Sequence, residues 1–287
     1  MITDKETNYL YLSDRLESDY PNFFKNFKKE LNRQGIVPEF LRDTKDVWCN
    51  DFMPIQISEK KFVQFRYEPD YLREYPDRRI SGNGIIKICE KIQKGNSGIA
   101  NMKIVQSQLN IDGGNVVKAE NKVIMCDKVF HENKHLSEKE IIKELEGLFQ
   151  VDKLIFVPWD INDFTGHADG MVRFIDNDTV LINDYFEEEP EFQTSFRMSL
   201  HNAGLEYREL PCFIPDDPMG ISARGLYLNY LQMEKAVFMP TFKLKSDDKA
   251  YRILSDIFIG QDIVTVESSD IARDGGIINC ATWNIKK

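Results

Sequence analysis

Short apolar runs that flank polar turns recur along the chain, and each recurrence predicts a β-hairpin. Two such runs surround Glu120 and Asn121, and the same arrangement surrounds the turns at 176–178 and 234–235. Paired apolar runs bounded by turn residues are typical of antiparallel strands. The predicted hairpins span 115–125, 171–182 and 230–239.

A helical pattern and then another apolar strand follow each predicted hairpin. The first helix begins at Ser137 with Glu140 three residues later, which is a capping-box signature, and the second stops at Gly204. The predicted helices span 137–149, 192–203 and 246–258, and the strands after them span 153–157, 206–210 and 263–266. The repeating unit is therefore strand, strand, helix, strand.

Two further copies of this unit bring the number to five. One begins at Pro54 and contains a strand at 62–65, a helix at 84–94 and a strand at 103–105. The other is split between the chain ends, with strands at 281–285, 8–12 and 38–41 and a helix at 20–34. Five units in 287 residues average about 57 residues each, a length at which propeller folds are considered.

The five-unit pattern predicts an α/β fold with the units arranged around a pseudo-fivefold axis. The alternative is an ordinary mixed α/β domain whose hairpins are alike by chance. We expect residues 1–287 to form a single domain, because no Pro-, Gly- or Ser-rich linker divides them.

The composition narrows the classes of partner. Acidic residues number 47 against 37 Lys plus Arg, which gives a net charge of −10. This charge argues against a nucleic-acid partner and suits a cationic ligand. A solvated acidic surface would explain the same charge. No apolar run reaches the roughly 20 residues of a membrane helix, and the first residues lack the pattern of a secretory signal. We therefore expect a cytoplasmic protein that binds neither nucleic acid nor membrane.

The cysteines and histidines lack the spacing of a disulfide framework or a metal site. The five cysteines are odd in number and contain no CxxC, and no two of the four histidines share a helical ligand spacing. This pattern is typical of a reduced intracellular chain in which at most one cysteine has a special task. It predicts no metal site.

Chemically competent residues recur where the incoming strand of each unit ends, before its hairpin. They are Asp51, Asp112, His167, Asn229 and Cys280, at successive intervals of 61, 55, 62 and 51 residues. In a five-unit ring, equivalent positions converge on the central axis. Cys280 and His167 would then supply a nucleophile and an acid/base, and Asp51 and Asp169 would supply carboxylates that match a planar guanidinium group.

Four motifs around these positions resemble one known family. They are Trp48-Cys49-Asn50-Asp51, Asp112-Gly113-Gly114-Asn115, Gly166-His167-Ala168-Asp169-Gly170 and the glycine-rich segment Gly275 to Cys280. In this order they resemble the guanidino-group-modifying superfamily, and more closely its agmatine deiminase and bacterial peptidyl-arginine deiminase family. The resemblance implies the pentein fold, a five-bladed α/β-propeller of five ββαβ units.

The resemblance also implies a role for each matching residue. Cys280 corresponds to the nucleophile, His167 to the general acid/base and Asp112 to the acid that supports the histidine. Asp51 and Asp169 correspond to the two carboxylates that hold the guanidinium group. Asn229 matches an active-site asparagine, Trp48 an aromatic pocket wall and Arg66 a residue near the far end of the substrate. Two positions depart from the pattern, because Asn50 replaces an arginine and Asn279 replaces a histidine.

The activity that the resemblance implies is hydrolysis of a C–N bond in a linear amidine. The guanidinium carbon of agmatine, arginine or peptidyl arginine would become a ureido group with release of ammonia, through a covalent cysteine intermediate and without a cofactor. For agmatine, this step belongs to putrescine biosynthesis. Three alternatives are an amidinotransferase of the same fold, a non-catalytic pentein binding module and an unrelated thiol amidase with a Cys-His pair.

Overall fold

The computed structural model describes residues 1–95, 101–185, 189–213, 217 and 220–287. Within these ranges, 15 strands form five sheets of three strands each. In chain order, the strands β1 to β15 are Tyr9–Ser13, Glu39–Leu41, Ile55–Gln56, Lys61–Arg66, Lys103–Asn110, Val117–Lys118, Lys122–Cys126, Lys153–Val157, Val172–Phe174, Thr179–Asn183, Glu206–Leu210, Leu231–Gln232, Ala236–Thr241, Asp262–Glu267 and Thr282–Ile285.

Eight α-helices lie in the same described part of the chain. In chain order, α1 to α8 are Leu16–Asp19, Pro21–Arg33, Cys49–Phe52, Gly82–Lys94, Lys128–Glu132, Glu138–Phe149, Pro190–Asn202 and Ser246–Ile257. Five short 3-10 helices, at Asp4–Glu6, Asp70–Leu72, Gly113–Asn115, Ala168–Gly170 and Ile271–Asp274, complete the helical segments.

Each sheet has one short strand antiparallel to the central strand and a third strand parallel to it. In the sheet β9-β10-β11, Val180 pairs with Phe174 in the antiparallel ladder and with Tyr207 in the parallel ladder. Helix α7 connects the two parallel strands, as a parallel crossover requires. The predicted strand-strand-helix-strand unit is therefore confirmed in all five sheets.

The unit that was predicted to be split between the chain ends is also confirmed. Strand β15 pairs antiparallel with β1, with Tyr9 opposite Ile285, and β1 pairs parallel with β2 after helix α2. Because β15 comes last in the chain, this sheet joins the fifth unit to the first and closes the ring.

Amphipathic helices cover the sheets on the outside of the ring. Phe23, Phe27 and Leu31 recur at helical spacing on α2 and are buried against the sheets. At the start of α6, the Ser137 hydroxyl accepts the Glu140 N–H while the Glu140 carboxylate accepts the Ser137 N–H. This predicted capping box fixes where the helix begins.

Candidate active site

The predicted site residues lie just before the first strand of each unit. Asp51 is on the one-turn helix α3 ahead of β3, and Asp169 is on a 3-10 turn ahead of β9. The sequence analysis placed these positions at the ends of the incoming strands, which is correct only for Asp112, two residues after β5. The other positions are separated from the incoming strand by longer loops, which bring the side chains to the centre of the ring.

Cys280 lies beside Asn229 and is 7% exposed. The Asn229 amide Nδ2 donates to the Cys280 Sγ over 2.9 Å, and the Cys280 N–H donates to the Asn229 Oδ1 over 3.3 Å. Burial and the nearby carboxylates of Asp169 and Asp51 raise the pKa of the Cys280 thiol well above its usual value. With no ligand bound, this thiol is therefore protonated at neutral pH.

His167 lies between two carboxylates. Its Nε2 is 3.0 Å from the Asp112 Oδ2, and its Nδ1 is 3.7 Å from the Asp51 Oδ1. Burial lowers the pKa of the imidazole, but the charges of Asp51 and Asp112 and the hydrogen bond to Asp112 outweigh it and raise the pKa to about 10. At neutral pH, His167 is therefore an imidazolium ion that can donate a proton.

Tyr71 is a site residue that the sequence analysis missed. Its hydroxyl donates to the Asp112 Oδ2 over 2.9 Å, and this is the same oxygen that contacts His167. The Tyr71 ring also packs edge-on against the His167 ring, with centroids 6.1 Å apart. Tyr71 follows the second unit's hairpin and lies outside all four motifs, so only the folded ring brings it to Asp112.

Asp51 and Asp169 are buried carboxylates close to Cys280. They are 7% and 4% exposed, and burial raises the pKa of both groups. Among the described residues, no group donates a hydrogen bond to the Asp51 Oδ1, which is also buried. The nearby His167 imidazolium only partly offsets the cost of burying these two acids, so a positively charged ligand would further stabilise their ionised forms.

Two glycines of the motifs are required by close packing. A Cβ on Gly114 would lie 2.4 Å from the His167 Nδ1, and one on Gly276 would lie 2.5 Å from the Trp48 Cζ3. A larger residue at either position would displace the imidazole or the indole ring. The glycines therefore let the backbone approach the site residues closely.

Two cavities meet at Cys280 and His167. One, of about 430 Å³, is lined by Asp51 and Trp48, and the other, of about 450 Å³, by Asp169 and Asn229. Trp48 thus lies at a pocket wall, where the family resemblance placed it.

Arg66, which the family resemblance placed near the far end of the substrate, lies at the end of β4 opposite Asn110 on β5. It is not among the described residues that line the two cavities, and its Nε lies 3.9 Å from the Glu68 Oε2. Arg78 instead lines the wall of the 430 Å³ cavity.

The described residues contain neither a metal-binding cluster nor a membrane-spanning helix. No group of three or more His, Cys, Asp or Glu side chains in these ranges has the arrangement to hold a metal ion. None of the helices in these ranges combines the length and apolar character that crossing a bilayer needs.

The fold is shared with solved deiminase structures. An agmatine deiminase from C. jejuni superposes with a TM-score of 0.80 at 19% identity, covering 100% of this chain and 95% of that one. A C. jejuni agmatine deiminase with a cysteine-to-serine substitution and substrate bound gives a TM-score of 0.78 at 20% identity over 100% and 96% of the chains. The dimethylarginine dimethylaminohydrolase of Pseudomonas aeruginosa gives 0.60 at 12% identity over 97% and 99%.

These structures and the five-unit ring define the pentein fold, a five-bladed α/β-propeller. The chain belongs to the Porphyromonas-type peptidyl-arginine deiminase family, whose family model matches residues 2–285. A curated relative, the agmatine deiminase of Medicago truncatula, is 26% identical over 208 residues, which are 60% of this chain and 56% of the relative. The chain thus spans about half the length of that relative.

Proposed function

We propose that this protein is a deiminase that hydrolyses the guanidinium carbon of a small cationic substrate or an arginine side chain. The observation that carries the proposal is the meeting of Cys280, His167 and the buried carboxylates of Asp51 and Asp169 at the junction of two cavities. A cysteine and a histidine suit nucleophilic and acid–base catalysis, and the carboxylates suit a guanidinium cation. The agmatine deiminases among its relatives support this chemistry.

The substrate itself would activate the nucleophile. In the free protein, the carboxylates of Asp51 and Asp169 keep the pKa of Cys280 high. A guanidinium bound between these carboxylates would offset their charge and lower the pKa of Cys280, so a proton leaves the site as the cation enters. The thiolate is thereby formed next to the carbon that it attacks.

The first half-reaction forms a covalent intermediate. The Cys280 thiolate attacks the guanidinium carbon and forms an S–C bond, and His167 donates its proton to one nitrogen. The C–N bond then breaks, ammonia leaves, and an amidino-thioether remains on Cys280. Asp112 holds the imidazole in place for this step through its contact with Nε2.

The second half-reaction reverses these roles. Neutral His167 takes a proton from water, and the hydroxide attacks the same carbon. The S–C bond breaks, the hydroxyl proton passes to the departing Cys280 sulfur, and the carbon becomes a ureido group. Division of one hydrolysis into two easier steps is the usual advantage of covalent catalysis. The chain's own residues supply every proton transfer in this scheme.

The proposal also covers the identity of the substrate, the cellular compartment and the domain organisation. Agmatine is our first choice of substrate because curated relatives are agmatine deiminases, and its conversion is a step of putrescine biosynthesis. We also propose a reducing compartment such as the cytoplasm, since all five cysteines are free thiols and the nucleophile must stay reduced. Because the site draws residues from all five units, we propose that residues 1–287 act as one domain.

The test is an ammonia-release assay with agmatine, arginine, arginine peptides and simple amidines, on the wild-type protein and Cys280→Ser. We expect turnover of at least one guanidino compound, and its loss in Cys280→Ser with the thermal unfolding temperature unchanged. Cys89→Ser is the matched control, since this buried thiol lies on α4 away from the site. Amidino transfer to an added amine would indicate the transferase. No turnover of any compound would contradict the proposal and favour the binding module.

A further inference from the structure

Two asparagines donate to the same oxygen of Asp169. The Asn279 Nδ2 lies 2.7 Å from the Asp169 Oδ2, and the Asn50 Nδ2 lies 3.2 Å from it. Asn50 is on helix α3, and Asn279 directly precedes Cys280. The carboxylate is thus held by two amides from segments that are distant in the sequence.

The backbone ties these amides to the nucleophile. The Asn50 N–H donates to the Cys280 carbonyl oxygen over 3.1 Å, and the Asn279 N–H donates to the Asn229 carbonyl oxygen over 3.1 Å. The same two residues therefore set the backbone around Cys280 and the orientation of Asp169. A shift of either side chain would move the carboxylate relative to the sulfur.

The other oxygen of Asp169 is left for a ligand. Within the described ranges, no hydrogen-bond donor contacts the Asp169 Oδ1, and Asp169 lines the 450 Å³ cavity together with Cys280. With two N–H groups fixing Oδ2, the carboxylate plane cannot rotate freely. Asp169 therefore presents one oxygen in a fixed direction, whereas neither oxygen of Asp51 accepts a hydrogen bond from the described residues.

The neutrality of the two donors also matters. A lysine or arginine at either position would place a positive charge against Asp169 and compete with a cationic ligand. An amide supplies the hydrogen bond without adding a positive charge at the carboxylate. The pair thus orients the carboxylate without weakening its attraction for a cation.

We propose that Asn50 and Asn279 are positioning residues that fix Asp169 through Oδ2, so that its Oδ1 receives the cationic head group of the substrate. The inference rests on the proposed function, because it assumes that the ligand is an amidine or guanidinium cation. It assigns a shared role to the two positions at which the chain departs from the motifs it resembles.

The test compares two alkylating probes of similar shape, cationic 2-chloroacetamidine and neutral 2-chloroacetamide, at Cys280. The ratio of their second-order labelling rate constants measures recognition of the positive charge without any need for the natural substrate. We expect Asn50→Leu and Asn279→Leu each to lower this ratio several-fold, and the double variant to lower it at least about tenfold, since hydrogen bonds to charged groups are stronger than neutral ones. Asp169→Asn should give a loss of similar size.

Asn284→Leu is the matched control. Asn284 lies four residues after Cys280, and its amide donates to the Thr7 hydroxyl over 2.9 Å, away from Asp169. Its removal should leave the ratio unchanged even if stability falls. If a leucine variant does not fold, the smaller Asn50→Ala and Asn279→Ala changes serve instead.

The outcomes separate this inference from the proposed function. If the wild-type protein shows no preference for the amidine, the proposed function fails. If the wild-type protein has the preference and both asparagine variants keep it, the positioning role is wrong. An equal loss for both probes would also overturn it, because that result indicates a packing role and not charge recognition.

Discussion

His167 and Cys280 both hold their protons in the free protein at neutral pH. The pKa of His167 is raised to about 10, and the pKa of Cys280 is raised well above its usual value. The reactive form needs a thiolate beside an imidazolium ion, so one proton must leave the pair when the substrate binds. We therefore infer that kcat/KM rises with pH on the alkaline side of neutrality, until the pair has lost this proton in the free protein as well.

Asp112→Asn should move this rise in activity to lower pH. The Asp112 carboxylate favours the charged form of His167 through a contact of 3.0 Å, so its removal lowers the pKa of the imidazole. The pH at which the Cys280–His167 pair loses its proton therefore falls as well. The measurement is kcat/KM against pH for the variant and the wild-type protein.

Tyr71→Phe is the matched comparison for Asp112→Asn. It removes the hydroxyl that donates to the Asp112 Oδ2 and keeps the carboxylate charge. Without the Tyr71 hydroxyl, the Asp112 charge acts more fully on His167. The curve of kcat/KM against pH should therefore stay in place or move to higher pH. A profile for Asp112→Asn that coincides with the wild-type profile would show that Asp112 does not act on His167.

At the scale of residues, the sequence predicts those site residues that can be recognised from residue type and spacing along the chain. Cys280, His167 and Asp51 were found because they recur at one position in successive units, and the ring brings them together. The contact of Tyr71 with Asp112 and the shared contact of Asn50 and Asn279 with Asp169 were not predicted. They depend on side-chain directions across units, which no local pattern encodes.

At the scale of elements, hydrophobic periodicity predicted nearly every strand and long helix. Strands β8 and β11 have the predicted bounds, because Gly204 and the polar residues before each strand separate it clearly from the preceding helix. The one-turn segments were missed. Helix α3 and the 3-10 turn Ala168–Gly170 are too short to show a period, yet they carry Asp51 and Asp169.

The glycine-rich segment before Cys280 allows a sharp test of the pocket wall. Gly276→Ala would place a Cβ 2.5 Å from the Trp48 Cζ3, so the indole must move out of the 430 Å³ cavity wall. We expect kcat/KM to fall at least about tenfold, since small displacements in a site are costly. The assay is steady-state turnover of the best substrate, together with thermal unfolding.

Gly147→Ala is the control for this substitution. Gly147 lies within α6, and a Cβ there meets no atom within 4 Å. The change should stabilise the helix by about 0.5–1 kcal/mol and leave kcat/KM as it is. Full activity of Gly276→Ala would show that the Trp48 ring does not shape the substrate pocket.

At the scale of the whole molecule, the site exists only in the closed ring. Asp51 belongs to the second unit, Asp112 to the third, His167 to the fourth, Asn229 to the fifth and Cys280 to the first. The sequence analysis anticipated the closure from incomplete patterns at both chain ends. It could not show which contacts hold the ring closed, because these join residues more than 200 positions apart.

Trp283 is one of the contacts that close the ring. It lies on β15, is 5% exposed, and its indole Nε1 donates to the Pro54 carbonyl oxygen over 2.9 Å. Its ring packs against Tyr11 of the first unit and Phe62 of the second, with centroids 5.2 and 6.1 Å apart. Trp283 thus joins the last strand of the chain to the neighbouring unit. It lies three residues after Cys280.

Trp283→Ala should lower the free energy of unfolding by about 3–5 kcal/mol, because removal of a buried aromatic leaves a cavity. Trp283→Phe keeps most of the ring contacts and loses the hydrogen bond to Pro54, so about 1 kcal/mol is expected. Urea denaturation of both variants measures these values, with Ile259→Ala, at an 88% exposed residue, as the control. Chloroacetamidine labelling of folded Trp283→Ala should also slow, since Cys280 lies only two residues before β15. A loss of stability no greater than that of Ile259→Ala would mean that the ring closes without Trp283.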